Sequence, residues 1–528
     1  MLIKNFFRFG LIAILLAGCG GVVKTSPWDI EYDPGLVSTP TQLEYGTNSG
    51  YGIDMSGTHN IAVLLPLTGD NAQIGRGIQN SIALALFQTQ PNGLNVHFYD
   101  TSRDASGAIT SALSASPEII IGPIFSSNAA LLRSQKPDNI PALTFTSDAG
   151  AVGSGVISMA LMPMNSVEAI IDEMSSDKVK KFIIVAPDDI SGHILTANAQ
   201  NIAQTQNMDI TGVFYYEAGN SELIKSLMET ASMAKDRTAA NNKAREILSD
   251  IITNETLSGA ERTSIARQIN ELSKVETIGS LPYDAVLFLG GGEDTKELAS
   301  FLRYYGADSH SVHFYGTAQW DDTDIISDFT MSGAKYAALP EYNPDFIELY
   351  KNTYGTTPTR LNTFGYDAIK IAMGMLYSTQ SNGTYLLNQS GFYGIAGLIR
   401  LNVNGTNERG LRIIQLNGTD TPRIIKQSPT NFITPIYNTT EYKTSGADAM
   451  ELQTPGINPM DYITIPERLR YKYKPKTYGT TQSSPVQTMS VITTVQSDTG
   501  DAIKESGFKP IKHESIKQTY IDSVEIEG

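Results

Sequence analysis

Cysteine is almost missing from this chain: Cys19 is the single one in 528 residues. That excludes a disulfide framework and any metal site built on paired thiolates. Positive charge is also short. Lys and Arg number 39 against 55 Asp and Glu, for a formal net charge of −16. A surface of that sign repels phosphate backbones, which argues against nucleic acid as a partner. Catalytic signatures are missing too. There is no GxSxG elbow, and Ser175-x-x-Lys178 has no Lys-Thr-Gly to accompany it. Gly290-Gly291-Gly292 is neither GxGxxG nor a phosphate loop, and reads as a tight turn. His310 and His313 sit beside a strand candidate without a third ligand, so no metal is expected. Asp188-Asp189 and Asp321-Asp322 are adjacent pairs, whose side chains point apart in extended backbone and make poor acid–base partners. The expectation is a non-enzyme with no catalytic residue, metal or cofactor.

What is present begins at the amino terminus. Lys4 and Arg8 precede the apolar run Phe9 to Leu16, which is too short for a membrane span and ends in Leu16-Ala17-Gly18-Cys19. This is the pattern of a signal peptide, residues 1–19. LAGC resembles the bacterial lipobox, whose Cys is lipidated, so Cys19 is the expected lipid anchor. Gly20 stands where an Asp commonly retains lipoproteins in the inner membrane, and so favours the outer membrane, facing the periplasm. Residues 20–58, rich in Thr, Ser, Pro, Gly and Tyr, read as a flexible tether.

The chain is organised around Ile61–Phe87. Ile61–Leu65 is a continuous apolar run ending at Pro66, and Ile74, Ile78, Ile82, Ala85 and Leu86 then recur at helical spacing. Further strand candidates are Asn95–Tyr99, Glu118–Ile121 and Ala142–Phe145, then Phe182–Ala186, Gly212–Tyr216, Ala285–Leu289 and Val312–Tyr315. Alternation with helices predicts an α/β protein of two doubly wound parallel-sheet lobes. The lobes are expected within 59–427: lobe 1 as about 59–160 plus 335–390, lobe 2 as about 161–334 plus 391–427. Ser221–Lys274 reads as a charged, solvent-facing helical insert, Phe364–Leu376 as a helix, and Gly391–Gln415 as a hairpin turning at Asn404-Gly405. Residues 428–528 read as an extended or partly disordered tail. Within it Arg468, Arg470, Lys472, Lys474 and Lys476 alternate with Leu469, Tyr471, Tyr473 and Pro475. An extended backbone would line those charges along one side, as a solvated edge or as a surface for an acidic partner or anionic lipid.

Five blocks carry a resemblance: IAVLLPLTG…IGRGIQNSIALAL, IIIGPIFSSN, IPALTFTSD, YDAVLFLGGGEDTKELASFLRYYG…HFYGTAQWDD and GFYGIAGLIRLNVNGTNERGLRIIQL. Together they resemble the type I periplasmic-binding-protein fold of the leucine-binding kind, and more closely the lipoprotein activators of penicillin-binding proteins. The resemblance implies a partner, a peptidoglycan synthase of the penicillin-binding-protein class, and a role in regulating cell-wall synthesis. The alternative is a receptor delivering amino acids or amides to an ABC transporter. In open α/β sheets ligands lie beyond the carboxyl ends of the strands. There the first lobe offers Thr68, Ser126, Ser127, Asn128, Thr146, Ser147 and Asp148, and the second Asp188, Asp189, Gly291, Glu293, Gln319 and Asp321. By position in the resembling proteins, Ser126, Ser127, Thr146 and Ser147 would hold the carboxylate of an amino-acid-like ligand. No Arg is expected at a strand end, which argues against an anionic ligand. The acids suit a cation or simply solubility, and the cleft is either a small-molecule site or a scaffold.

Overall fold

The computed structural model describes Trp28 and residues 39–43, 58–307, 310–321, 324–419, 421–432, 443, 445–454 and 456–479. Its first sheet has five parallel strands in the order Leu94–Asp100, His59–Leu65, Ile119–Ile121, Ala142–Thr144, Val156–Ser158. Ile61 to Leu65 are all buried, as a strand covered on both faces requires. Helix Ala72–Thr89 follows. Its first turn lies so near the strand exit that a Cβ on Gly75 would sit 1.9 Å from the Pro66 carbonyl oxygen, and only glycine permits that approach. Ile78, Ile82 and Ala85 then face the core.

The second sheet has seven strands in the order Arg423–Lys426, Arg412–Gln415, Lys335–Ala338, His313–Gly316, Ala285–Phe288, Lys181–Pro187, Asp209–Tyr216. The five from Lys335–Ala338 to Asp209–Tyr216 are parallel, and the other two return antiparallel. Lys335–Ala338 therefore belongs to the second lobe, not the first as expected, because it pairs with His313–Gly316 on one side and Arg412–Gln415 on the other. The chain crosses to the first lobe only after it. Helix Arg360–Tyr377 then packs on helix Ala72–Thr89, where a Cβ on Gly365 would lie 2.7 Å from Ile78 Cγ2.

Gly391–Gln415 is divided. Phe392–Gly394, Gly397–Leu401 and Asn407–Arg409 form a small sheet of their own, with Thr41–Gln42 as a parallel edge strand, and Arg412–Gln415 passes into the second sheet. The expected turn is there: Asn402 N–H donates to the Thr406 carbonyl and Gly405 N–H to that of Asn402, both at 2.9 Å.

The helical insert comprises Ser221–Ala231, Ala234–Asn254 and Gly259–Leu272. It is not wholly solvent-facing. Ala240, Ala244, Ile247, Leu248 and Ile251 are buried in the second lobe's core. Against it lies the described part of the tail, which corrects the expected stripe of charge. Leu452, Ile457, Ile463, Ile465 and Leu469 are buried in the same core, and Glu467–Arg470 is a short helix rather than extended chain. Arg468 donates to both carboxylate oxygens of Glu261 at 2.6 and 3.0 Å, Lys472 pairs with Glu255, and Tyr473 Oη donates to Asp250 at 2.6 Å. This part of the tail, from residue 443 to 479, forms a strap across the lobe; earlier in it, Met450 pairs with Val213 along the Asp209–Tyr216 edge, which covers part of an otherwise open sheet edge. Lys474 and Lys476 remain exposed. The expected signal peptide, with Cys19, and residues 480–528 lie outside the described residues.

Candidate functional site

Each strand-end residue named from the sequence lies beyond the carboxyl end of a parallel strand in its own lobe. In the first lobe the Thr68 hydroxyl donates to Asp100 Oδ2 at 2.6 Å, while Asp100 Oδ1 accepts from the N–H groups of Leu67 at 2.8 Å and Ser102 at 3.0 Å. Desolvation raises the Asp100 carboxyl, but the Thr68, Leu67 and Ser102 bonds outweigh it and hold the group below the usual carboxylate range. Thr68 thus ties two strand-end loops together. Ser126 and Ser127 occupy the first turn of helix Ser126–Gln135. Thr146 is buried; its hydroxyl accepts from Asp148 N–H at 3.2 Å, and Asp148 in turn accepts from Gly150 N–H at 2.8 Å. Ser147 is half-buried between them.

The second lobe engages its acids internally. Asp188 Oδ1 lies 2.8 Å from His193 Nε2, and the other ring nitrogen, Nδ1, lies 2.8 Å from the Ala447 carbonyl of the strap. Acceptors on both sides favour an imidazolium. Desolvation would lower the His193 pKa, yet the bonds to Asp188 and Ala447 and the charges of Asp188 and Asp189 raise it overall. Tyr215 stacks on the imidazole at 3.8 Å and donates to the same carbonyl at 2.7 Å. Glu293 pairs with Lys296 within one helical turn. Gln319 lies under Gly291, where an added Cβ would come within 3.0 Å of it.

Asp321, named from the sequence, meets partners that the sequence did not reveal. Arg360 Nη2 approaches it at 3.5 Å, Arg412 Nη2 at 3.8 Å and the Tyr336 hydroxyl at 3.2 Å. Arginine therefore does reach a strand end, against expectation. Arg360 opens helix Arg360–Tyr377 and Arg412 is the first residue of the antiparallel strand Arg412–Gln415, so neither lies in a loop that follows a parallel strand. The one local signal was Pro358-Thr359, a helix-start pattern ahead of Arg360.

Behind this lies a polar knot joining the crossings. Asn407 Nδ2 donates to the carbonyls of Ser158 at 2.9 Å and Ala160 at 2.8 Å, and Asn165 Nδ2 donates to Asn407 Oδ1 at 3.1 Å. Arg409 donates to the Met159 carbonyl, with its guanidinium 4.4 Å above the Phe364 ring. Asp367 accepts from the N–H groups of Ile395 at 3.0 Å and Ala396 at 2.9 Å, and burial pushes its carboxyl up to about 6. The hydrogen-bonded Asn407 amide and Asp367 carboxylate fix one arrangement of the segments that carry them, while Arg409 Nε and Nη1 are buried without a hydrogen-bond partner among the described residues. Among the described residues no cluster of three or more His, Cys, Asp and Glu could hold a metal ion, and no helix is long and apolar enough to cross a membrane.

Two parallel-sheet lobes joined by several crossings of the chain define the type I periplasmic-binding-protein fold. A solved structure described as a putative branched-chain amino acid ABC transporter from Rhodospirillum rubrum aligns with 70% of this chain and 100% of its own, at 14% identity and a TM-score of 0.51. The leucine-binding protein LivK of Thermotoga maritima aligns with 70% of this chain and 97% of its own, at 16% identity and a TM-score of 0.42. The LpoA (YraM) C-domain of Haemophilus influenzae, a regulator of PBP1A, aligns with 69% and 99%, at 16% identity and a TM-score of 0.46. No curated protein matches the chain. More particularly, residues 40–248 match the family described as LppC putative lipoprotein. The chain is thus similar to these lipoproteins through the first lobe and into the second, in keeping with the resemblance its sequence blocks carry.

Proposed function

We propose that the chain is a lipid-anchored lipoprotein of the outer membrane, facing the periplasm, that binds and activates a peptidoglycan synthase of the penicillin-binding-protein class. The observation that carries this reading is the lipoprotein-family match over residues 40–248. The geometry favours a scaffold: Asp188, Glu293 and Asp321 are engaged by His193, Lys296, Arg360 and Arg412, and the crossings are stitched through Asn407. Function here is protein–protein recognition, with Cys19 as the lipid attachment. A pull-down from crosslinked cells, read by mass spectrometry, tests it. Recovery of a bifunctional penicillin-binding protein supports the reading; recovery of transporter permease subunits in its place refutes it.

The alternative receptor reading rests on Ser126, Ser127, Thr146 and Ser147, which cluster at first-lobe strand ends as hydroxyl donors for a small amino-acid-like ligand. It requires a hinge that closes. A thermal-shift screen against amino acids and peptides tests it, since a ligand at 100 times its Kd adds about 2.7 kcal/mol. The scaffold reading expects no stabilised hit.

A further inference from the structure

The segment expected to be a free tether is pinned at two places. Trp28 is only 4% exposed, and its Nε1 donates to the Asp138 carbonyl at 3.1 Å. The ring lies over Gly155, where a Cβ would be 2.4 Å from Trp28 Cζ2, so the seat is shaped by a glycine that any side chain would fill. Farther along, Thr41–Gln42 pairs with Phe392–Gly394, Leu43 is buried, and Asn388 Nδ2 donates to Thr41 Oγ1 at 3.0 Å.

The seat of Trp28 has a definite place in the fold. Asp138 and Gly155 directly precede strands Ala142–Thr144 and Val156–Ser158. They belong to the amino-terminal ends of the first sheet, the base of lobe 1, opposite to the cleft. The loops at that base, residues 90–93, 115–118, 136–141 and 153–155, carry as charges only Glu118, Lys136 and Asp138. Glu118 is paired with His59 at 3.0 Å. In a chain of net charge −16 this end is nearly neutral and does not repel an anionic bilayer.

We infer that the base of lobe 1 faces the membrane, and that the docked Trp28 sets this orientation. The occupant of that face is a lipid surface. The inference rests on the lipoprotein reading, with Cys19 as the anchor. Eight residues, 20–27, separate Cys19 from Trp28 in sequence, and the nine steps between the two, at 3.3–3.6 Å each, reach at most about 32 Å. The base of lobe 1 is therefore held within that distance of the bilayer. In open α/β sheets the crevice lies beyond the carboxyl ends of the strands, so with the base of lobe 1 at the membrane we place the base of lobe 2 away from it. The helical insert and the strap that packs on it then stand on the outward lobe, which is the part presented to a partner across the periplasm.

The test uses the full lipidated chain in vesicles of phosphatidylethanolamine and phosphatidylglycerol containing an acceptor-labelled lipid. With Cys19 lipidated, an introduced cysteine is the only free thiol. Donor dyes go on Asn92→Cys, at the lobe 1 base, or on Gln204→Cys, at the lobe 2 base, both exposed. Energy transfer is expected to be several-fold stronger from position 92. A Gly/Ser insertion of about 20 residues, with a mean span of about 25 Å, between positions 19 and 28 should weaken that transfer. The same insertion between 28 and 39 should leave it unchanged, because Trp28 bears the restraint; Trp28→Ala should then make the second insertion as disruptive as the first. Equal transfer from 92 and 204 in the parent, on protein that floats with the vesicles, overturns the orientation alone. Protein that does not float overturns the anchoring and the orientation with it.

Discussion

The strap makes a prediction that separates it from a solvated, charged tail. Leu469 sits between Arg468 and Arg470 and is 7% exposed in the second lobe's core. Leu469→Ala removes three buried carbons and leaves a cavity at the edge of a well-packed cluster. Leucine-to-alanine changes in such sites cost about 2–5 kcal/mol, and a rim position belongs at the low end, about 2–3 kcal/mol. That loss falls on local opening of the strap, because its other anchors are few and spaced along the chain. At 1.4 kcal/mol per factor of ten, about 2–3 kcal/mol speeds amide exchange by roughly 30- to 150-fold. The reporters are the Gln453 N–H, bonded to the Thr211 carbonyl at 2.7 Å, and the Tyr478 N–H, bonded to that of Ile457 at 2.8 Å. Hydrogen exchange read by mass spectrometry resolves both against the Ile61–Leu65 strand, which should not change. Lys474→Ala, at an exposed position of the same segment, should be silent. Unchanged exchange in Leu469→Ala, or an equal effect in Lys474→Ala, refutes the packed strap.

Other consequences concern the hinge and the clasp. Asn407→Ala leaves the Ser158 and Ala160 carbonyls without a buried donor, and should lower unfolding free energy by about 2–4 kcal/mol in urea titration. The His193 clasp should be pH-dependent. Its folded-state pKa is raised, so its stabilisation is complete below the ordinary histidine value of about 6.5 and is lost as pH rises through the raised value. Asp188, Asp189, Tyr215 and the Ala447 carbonyl are the groups that face or bear on the imidazole. The melting-temperature gap between the parent chain and His193→Gln should be widest in acid and close towards alkaline pH; a gap that widens with pH contradicts the clasp. Arg360→Leu unpairs Asp321 from one of its two arginines, so it should lower the melting temperature more than Lys296→Leu, which breaks a pair with the exposed Glu293 within one turn of helix Gly292–Tyr304.

The alternation of apolar strands with amphipathic helices was legible because parallel strands covered on both faces must be continuously apolar, as in Ile61–Leu65 and Phe182–Ala186. Lys335–Ala338 was not legible as a second-lobe strand, since Lys-Tyr-Ala-Ala has no strand-like pattern and is made one by its neighbours on both sides. The strap escaped for a related reason. Leu452, Ile457, Ile463, Ile465 and Leu469 follow neither a two-residue nor a helical period, so they look like scattered apolar residues until the insert supplies the surface they cover. Trp28 was likewise hidden in a stretch of tether-like composition. For the cleft, topology alone located the strand-end residues. Their partners were out of reach, because Asp321 meets Arg360 and Arg412 through a fold that brings distant segments together.

Reconstitution tests the proposed activation of a peptidoglycan synthase most directly. Purified bifunctional penicillin-binding protein from the same cell would be given lipid-linked precursor in detergent or vesicles, with and without this chain, and glycan polymerisation and peptide cross-linking followed over time. Adding the chain should raise the cross-linking rate several-fold, with an effect that saturates with concentration as a binding event does. A rate unchanged at saturating chain, with the synthase active and the chain folded, contradicts it.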